Sequence, residues 1–143
     1  MVFRALNWVS RIVLAGIFLY SGYIKLQSPL QFAATLTTYQ LFPESLILPI
    51  ITYLPWVEVS LGALLLVGWQ TRYVAAATVG LLFMFSVILA VTYFRGIDAD
   101  CGCFGPGDRI SFLTIARDTL FLVPAVFLAA ETRIRGRWQS QQN

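Results

Sequence analysis

Cys101 and Cys103 stand either side of one glycine in Asp98-Ala-Asp-Cys-Gly-Cys-Phe-Gly-Pro-Gly-Asp108, and they are the only cysteines in the chain. Three chemistries are open to such a pair: a redox-active dithiol, a thiolate metal site and a structural disulfide. A metal site needs more than two thiolates. The chain has no histidine, its methionines are Met1 and Met84, and Asp98, Asp100 and Asp108 would add hard oxygens to soft sulfur, an uncommon ligand set. A thiolate-bound metal shared between two copies stays open. A structural bridge stabilises chiefly by closing a long loop in the unfolded chain, and a bridge across one residue closes almost none. Its small ring is strained, and strain makes a disulfide easier to reduce. Gly102 relieves part of that strain, because glycine adopts backbone angles closed to other residues. The pair therefore reads as a poor brace and a plausible redox couple. Asp98 and Asp100 disfavour a thiolate here, whereas Arg95, Arg109 and the start of the following helix favour one. Gly105, Pro106 and Gly107 supply a turn that folds the cysteines back toward the rest of the chain.

The elements that must hold this loop are built for lipid. Of 143 residues, 58% are hydrophobic and only 12% charged, and the mean hydropathy is +0.74. A soluble domain of this length needs more charge to cover its surface. Four continuous apolar runs, at about 9–26, 46–69, 73–94 and 111–130, reach the roughly 20 helical residues that cross a bilayer core. They do not alternate as barrel strands do. The predicted fold is an all-α membrane protein: residues 1–143 form one four-helix transmembrane bundle. The first run is retained as a span, since no small-x-small cleavage site follows it.

The net charge is +3. The basic residues fall at the ends of apolar runs rather than in one patch, which argues against a nucleic-acid partner. Arg4, Arg11, Arg72, Arg133, Arg135 and Arg137 belong to one side of a four-span bundle; Lys25, Arg95 and Arg109 belong to the other. Short cytoplasmic segments collect Lys and Arg. Both termini are therefore expected in the cytoplasm, with the cysteine loop facing the periplasm of a bacterial inner (plasma) membrane, where a cycling disulfide is at home.

Between the first two runs, Ser28 and Pro29 form a helix start, and Phe32, Leu36 and Tyr39 repeat at helical spacing. This predicts a short amphipathic helix lying in the outer interface. Pro49 and Pro55 fall in the outer half of the second span, where a kink at Pro55 would open a crevice. Ala75, Ala76, Ala77 and Gly80 predict close helix packing by the third span. The tail beyond Glu131 is expected to touch headgroups and then fray from Gln139.

Glu58, Arg117 and Asp118 lie within predicted spans, where an ionisable group needs a partner or a cavity. Two readings of Glu58 and Arg117 stand side by side. They line a pocket for a quinone-like acceptor or relay protons, or they form an ion pair that fixes the bundle. Lys25 reads as an anchor that snorkels to the outer interface.

Several of these segments look familiar. Ala15-Gly-Ile-Phe-Leu-Tyr-Ser-Gly-Tyr-Ile-Lys25-Leu-Gln-Ser-Pro29 resembles the first-helix signature of the DoxX-like superfamily. Leu54-Pro55-Trp-Val-Glu58, with Leu61-Gly62-Ala-Leu-Leu-Leu-Val-Gly68, resembles its second. Asp100-Cys-Gly-Cys-Phe-Gly105 followed by Arg117-Asp118 is similar to the MauE branch, the methylamine-utilisation membrane proteins. The resemblance implies a four-helix inner-membrane protein that matures a disulfide-rich periplasmic dehydrogenase subunit alongside a thioredoxin-like partner. It also implies kinship with subunits of membrane sulfur-compound:quinone oxidoreductases. Functional carry-over falls on Cys101 and Cys103, then on Lys25, Glu58 and Arg117. The quinone-linked disulfide-generating enzymes share the four-helix plan but carry a second cysteine pair, which this chain lacks.

The leading expectation is thus a thiol–disulfide oxidoreductase that exchanges with a thioredoxin-like periplasmic protein. It has no covalent cofactor and passes electrons to or from a quinone near Arg117 and Glu58. The alternative is a non-catalytic subunit or assembly factor of a larger membrane redox complex, in which the disulfide shapes a docking loop.

Overall fold

The computed structural model describes residues 1–102 and 107–141, with side chains as far as residue 134. Five helices follow one another: α1 (Val2–Gln27), α2 (Pro29–Tyr39), α3 (Glu44–Val67), α4 (Thr71–Phe94) and α5 (Phe112–Gln141). Four of them are long and apolar enough to cross a membrane. Among the described residues the only β-type pairing is an isolated bridge between Asp100 and Arg109.

The bundle is made of two intimate helix pairs. α1 packs on α3 and α4 packs on α5, while α3 and α4 meet more sparsely. The α1–α3 contact is close because two glycines sit in it. A Cβ at Gly22 would lie 2.7 Å from Val59 Cγ2 and 2.9 Å from the Pro55 carbonyl; one at Gly62 would lie 3.1 Å from the Ala15 carbonyl. In lipid, where hydrophobic burial gives no advantage to one apolar contact over another, such close approach is a main source of helix association. The main core gathers Leu14, Phe18, Leu61, Leu65, Ala75 and Leu128. A second core lies around Phe32, Leu36, Tyr39, Leu89 and Cys101.

Side chains identify the two ends. Arg11 donates from Nε and Nη2 to the Leu65 carbonyl at 2.9 and 2.7 Å, capping the end of α3. Asn7 Nδ2 donates to Glu131 Oε2 at 2.6 Å. The start of α1, the end of α3 and the distal part of α5 therefore meet at one end. α2 and the sulfur loop lie at the other.

Several expectations are revised. α1 begins at Val2 rather than near residue 9, and α5 continues to Gln141 instead of fraying from Gln139, because that stretch is mostly good helix former and holds no proline. α3 runs through Pro49 and Pro55 as one helix. The close-packing role expected of the third span is largely unfilled. Ala75 is buried, but Ala76, Ala77 and Gly80 are exposed, and Gly22 and Gly62 take that part. α2 exists as predicted, but its stripe of Phe32, Leu36 and Tyr39 is buried against protein. α3 extends outward beyond the end of α1, so α2 folds across that overhang.

Gly22→Ala is expected to lower the stability of the detergent-solubilised protein by about 1–3 kcal/mol, the usual range for overpacking. Gly80→Ala, with nothing within 4 Å of the added Cβ, is expected to leave it unchanged or raise it slightly. Thermal unfolding of the two variants side by side checks this.

Candidate functional site

Two buried charge groups lie in the half of the bundle that carries α2 and the sulfur loop. In the first, Lys25 Nζ donates to Glu58 Oε1 at 2.7 Å and Oε2 at 2.9 Å, and to Ser21 Oγ at 2.7 Å. Both charged side chains are 2% exposed. Helix geometry explains the meeting. Every Cα–Cβ bond leans toward its own helix N-terminus, and α1 and α3 run antiparallel. Lys25 therefore leans inward and Glu58 outward, and they converge. Ser21 lies one turn before Lys25 on the same face. The Phe32 and Phe85 rings flank the ammonium, with centroids 5.2 and 5.0 Å away. The anchor role expected of Lys25 is overturned, because Gly22 brings Glu58 within reach before the side chain gains the surface.

The second group surrounds Cys101. A short pinned stretch holds this residue: Cys101 N donates to the Asp108 carbonyl at 2.7 Å and Ile110 N to the Ala99 carbonyl at 2.9 Å. Tyr39 Oη shares its proton between the carbonyls of Asp100 (2.9 Å) and Cys101 (2.7 Å). Gly102 follows with φ +69°, and a Cβ there would meet Thr35 Cγ2 at 3.0 Å. A glycine is needed on both counts, since that backbone region penalises other residues and α2 leaves no room. Cys101 is 4% exposed. Its Sγ lies 3.8 Å from Asp118 Oδ2 and 3.9 Å from Arg117 Nη2. Arg117 in turn donates to Asp108 Oδ2 at 3.0 Å and to Asp118 Oδ1 at 3.2 Å.

The guanidinium beside the sulfur is thus that of Arg117. Arg95 donates to the carbonyls of Tyr39 and Gln40 at the end of α2, and Arg109 pairs with Asp98 on the surface. Glu58 and Arg117 do not pair with each other. Each has found a nearer partner, Lys25 in one case and Asp108 with Asp118 in the other. Asp100 contributes its backbone to the pinned stretch. Cys103 lies outside the described residues, as does most of the turn expected at 105–107.

Of the cavities that adjoin these groups, two are lined mainly by apolar side chains. The larger, about 390 Å³, opens between α2, α3 and α4 in the sparse α3–α4 seam, with Cys101, Gly102 and Lys25 on its wall. Phe32, Tyr39, Leu54 and Ile88 make most of the rest apolar. This volume is within the range of small-ligand pockets. Its rim residues Leu46, Tyr53, Val57 and Met84 are exposed, so it opens sideways from the bundle. The smaller cavity, about 30 Å³, is lined by Ser21, Glu58 and Asp118 among Phe18, Phe85 and Phe121. Arg117 lines neither cavity and Glu58 only the smaller, so the space expected near that pair is displaced toward α2.

Sequence reasoning missed Ser21 and Tyr39 as site residues. Ser21 was visible as a polar residue four positions before a lysine in an apolar run. Tyr39 was visible as the last member of the α2 stripe, the one carrying a hydroxyl.

Comparison with known proteins supplies a family. The model described as "Methylamine utilisation protein MauE" matches residues 4–131. The chain is similar to the methylamine utilization protein MauE of Paracoccus denitrificans, at 29% identity over 125 residues, covering 85% of this chain and 67% of that protein. It is also similar to the MauE protein of Methylorubrum extorquens, at 31% identity over 108 residues, covering 73% of this chain and 58% of that protein. The chain thus spans roughly three-fifths to two-thirds of the length of these relatives. No solved structure matches it.

Removing one partner of a buried ion pair strands the other charge, at a cost of about 3–5 kcal/mol. Lys25→Met alone and Glu58→Leu alone are each expected to lose stability on that scale. The double substitution is expected to recover most of it, and a double-mutant cycle on unfolding midpoints gives the coupling directly.

Proposed function

The chain belongs to the MauE family, and from that membership we propose that it is a membrane thiol–disulfide oxidoreductase acting in methylamine utilisation. In this reading its Cys101–Cys103 couple faces the periplasm. The couple exchanges disulfides with a thioredoxin-like protein during maturation of a periplasmic, methylamine-dehydrogenase-type subunit. One observation carries the reading: the Cys101 sulfur is at once on the wall of an apolar cavity and beside a carboxylate and a guanidinium. A guanidinium beside a sulfur favours its thiolate, the form that exchanges disulfides.

Burial divides the labour between the sulfurs. A partner protein cannot reach a residue 4% exposed, so Cys101 takes the inward role. When a partner thiolate attacks the Cys101–Cys103 disulfide at Cys103, Cys101 leaves as the thiolate, and the partner's second thiol releases Cys103 and becomes oxidised. Arg117 favours the Cys101 thiolate that leaves.

The large cavity suits a lipid-soluble quinone. It is apolar and ligand-sized, and its sideways opening gives access from the bilayer. A bound quinone supplies a two-electron, two-proton acceptor. Lys25, Phe32, Tyr39, Ile88 and Cys101 would hold it.

A second reading keeps the chain as a non-catalytic subunit of a larger redox complex. The pinning of residues 99–101 and 108–110 by Tyr39 and the backbone bonds favours it, since a held segment also serves for docking.

In membranes, Cys101→Ser and Cys103→Ser are each expected to abolish oxidation of a thioredoxin-like partner. Cys101→Ser should in addition accumulate a mixed disulfide through Cys103, whereas Cys103→Ser should accumulate none. An unchanged oxidation rate in either variant rejects the oxidoreductase reading in favour of the docking one. Labelling reduced spheroplasts with a membrane-impermeant thiol reagent should modify Cys103; labelling seen only after permeabilisation would reverse the topology.

A further inference from the structure

Arg117 faces three groups that can carry negative charge. Its guanidinium holds the carboxylates of Asp108 at 3.0 Å and Asp118 at 3.2 Å, and it lies 3.9 Å from the Cys101 sulfur. Asp108 is 27% exposed, so water shares its charge. Asp118 and Cys101 are only 5% and 4% exposed. They face each other directly, the thiol donating from Sγ to Asp118 Oδ2 at 3.8 Å. Ionising both would set two buried anions side by side against one guanidinium, and an ion left unbalanced away from water costs several kcal/mol. The surroundings do not relieve this. Arg95 and Arg109 are engaged elsewhere. On its other side Asp118 faces Ser21 of α1, Glu58 of α3, and the apolar Leu82 and Phe85 of α4. Glu58 already has Lys25 as its partner.

We infer that Cys101 and Asp118 hold one proton between them, and that Asp118 is the general acid–base residue of the disulfide exchange. This rests on the thiol–disulfide reading above and deepens it. In the reduced protein the proton is on the sulfur, and the carboxylate accepts its hydrogen bond. In the oxidised protein the sulfur is bonded to Cys103 and has no place for a proton, so the carboxyl carries it. Opening then balances within the site. A partner thiolate attacks the Cys103 sulfur, the bond between the two sulfurs breaks, and its electron pair goes to Cys101. The O–H bond of Asp118 breaks and an S–H bond forms on Cys101. The products are the mixed disulfide at Cys103, the Cys101 thiol and the Asp118 carboxylate. Closing runs the same steps backward, with Asp118 taking the proton as Cys101 attacks. Arg117 cannot accept a proton itself; it stabilises whichever of the two groups is negative. The charge brought by the attacking thiolate thus ends on Asp118 against the guanidinium, never on both buried groups at once. Hydrogen bonds to sulfur are long, and such contacts tighten in the reacting complex.

The test is the rate at which dithiothreitol opens the disulfide of the oxidised full-length protein in nanodiscs, followed by alkylation across a range of pH. Divided by the concentration of dithiothreitol thiolate, the wild-type rate should fall as pH rises and the carboxyl loses its proton. Asp118→Asn keeps the shape of the protonated carboxyl and leaves Arg117 paired with Asp108. It should open about a hundredfold more slowly at the acid end, the usual scale for losing a proton-transfer group, with that pH dependence gone. Asp118→Glu should restore part of the rate. A carboxylate ionised throughout would only repel the departing thiolate, and removing it would speed the reaction. An equal or faster rate in Asp118→Asn therefore overturns the proposal. Should Asp118→Asn misfold, an infrared difference spectrum of the wild type decides. A carboxyl band of the oxidised protein, shifted in D₂O, must vanish on reduction, and a spectrum without it overturns the proposal. A wild type that dithiothreitol never opens removes the disulfide reading and the proposal with it. If rates and band are as stated but a purified thioredoxin is not oxidised, the shared proton stands and the partner reading falls.

Discussion

The ion pair between Lys25 and Glu58 constrains the rest of the molecule. A lone charge at this depth costs several kcal/mol in lipid, so neither residue is tolerable without the other. Their meeting requires α1 and α3 to approach within backbone contact, which Gly22 and Gly62 permit. It also fixes the relative height of the two helices. α1 ends soon after Lys25, while α3 still has three turns beyond that level. The chain must cover this overhang, and α2 does so with Phe32, Leu36 and Tyr39. The ligand-sized cavity between α2, α3 and α4 follows from the mismatch.

The second charge group answers a different demand. The sulfur segment is polar backbone at the mouth of an apolar bundle, and its donors and acceptors need partners. They find them in one another across residues 99–101 and 108–110, and in the Tyr39 hydroxyl. Arg117 then ties the loop to α5 by holding Asp108 and Asp118 together. Among the described residues, the Cys101 sulfur is positioned by these hydrogen bonds rather than by regular secondary structure.

Much of this was legible in the sequence. The four spans and the α2 stripe follow from run length and periodicity, which depend on local residue order alone. The MauE resemblance was legible in the segment around Cys101 and in Arg117-Asp118. The pairing of charges was not. Glu58 and Arg117 are both deep, but which cation meets which carboxylate depends on helix height and on side-chain lean, and these are set by Gly22 and by the length of α1. Lys25 was misread because its distance from the helix end allows snorkelling. Only the proximity of α3 makes the inward rotamer better. The cavity was foreseen as a crevice near Pro55, and α3 from Leu46 to Val57 supplies the largest part of its wall; what was not foreseen is that α2 encloses it, because the stripe gave no sign of which way it would turn.

Tyr39 has a dual attachment with a mechanical consequence. Its ring belongs to the cavity wall, while its hydroxyl grips the main chain next to Cys101. Thr35, one turn earlier, abuts Gly102. The short helix and the sulfur segment are therefore coupled like a lever and its handle. Movement of the main chain beside Cys101 is passed to the cavity wall, and a change in the wall is passed back to the sulfur.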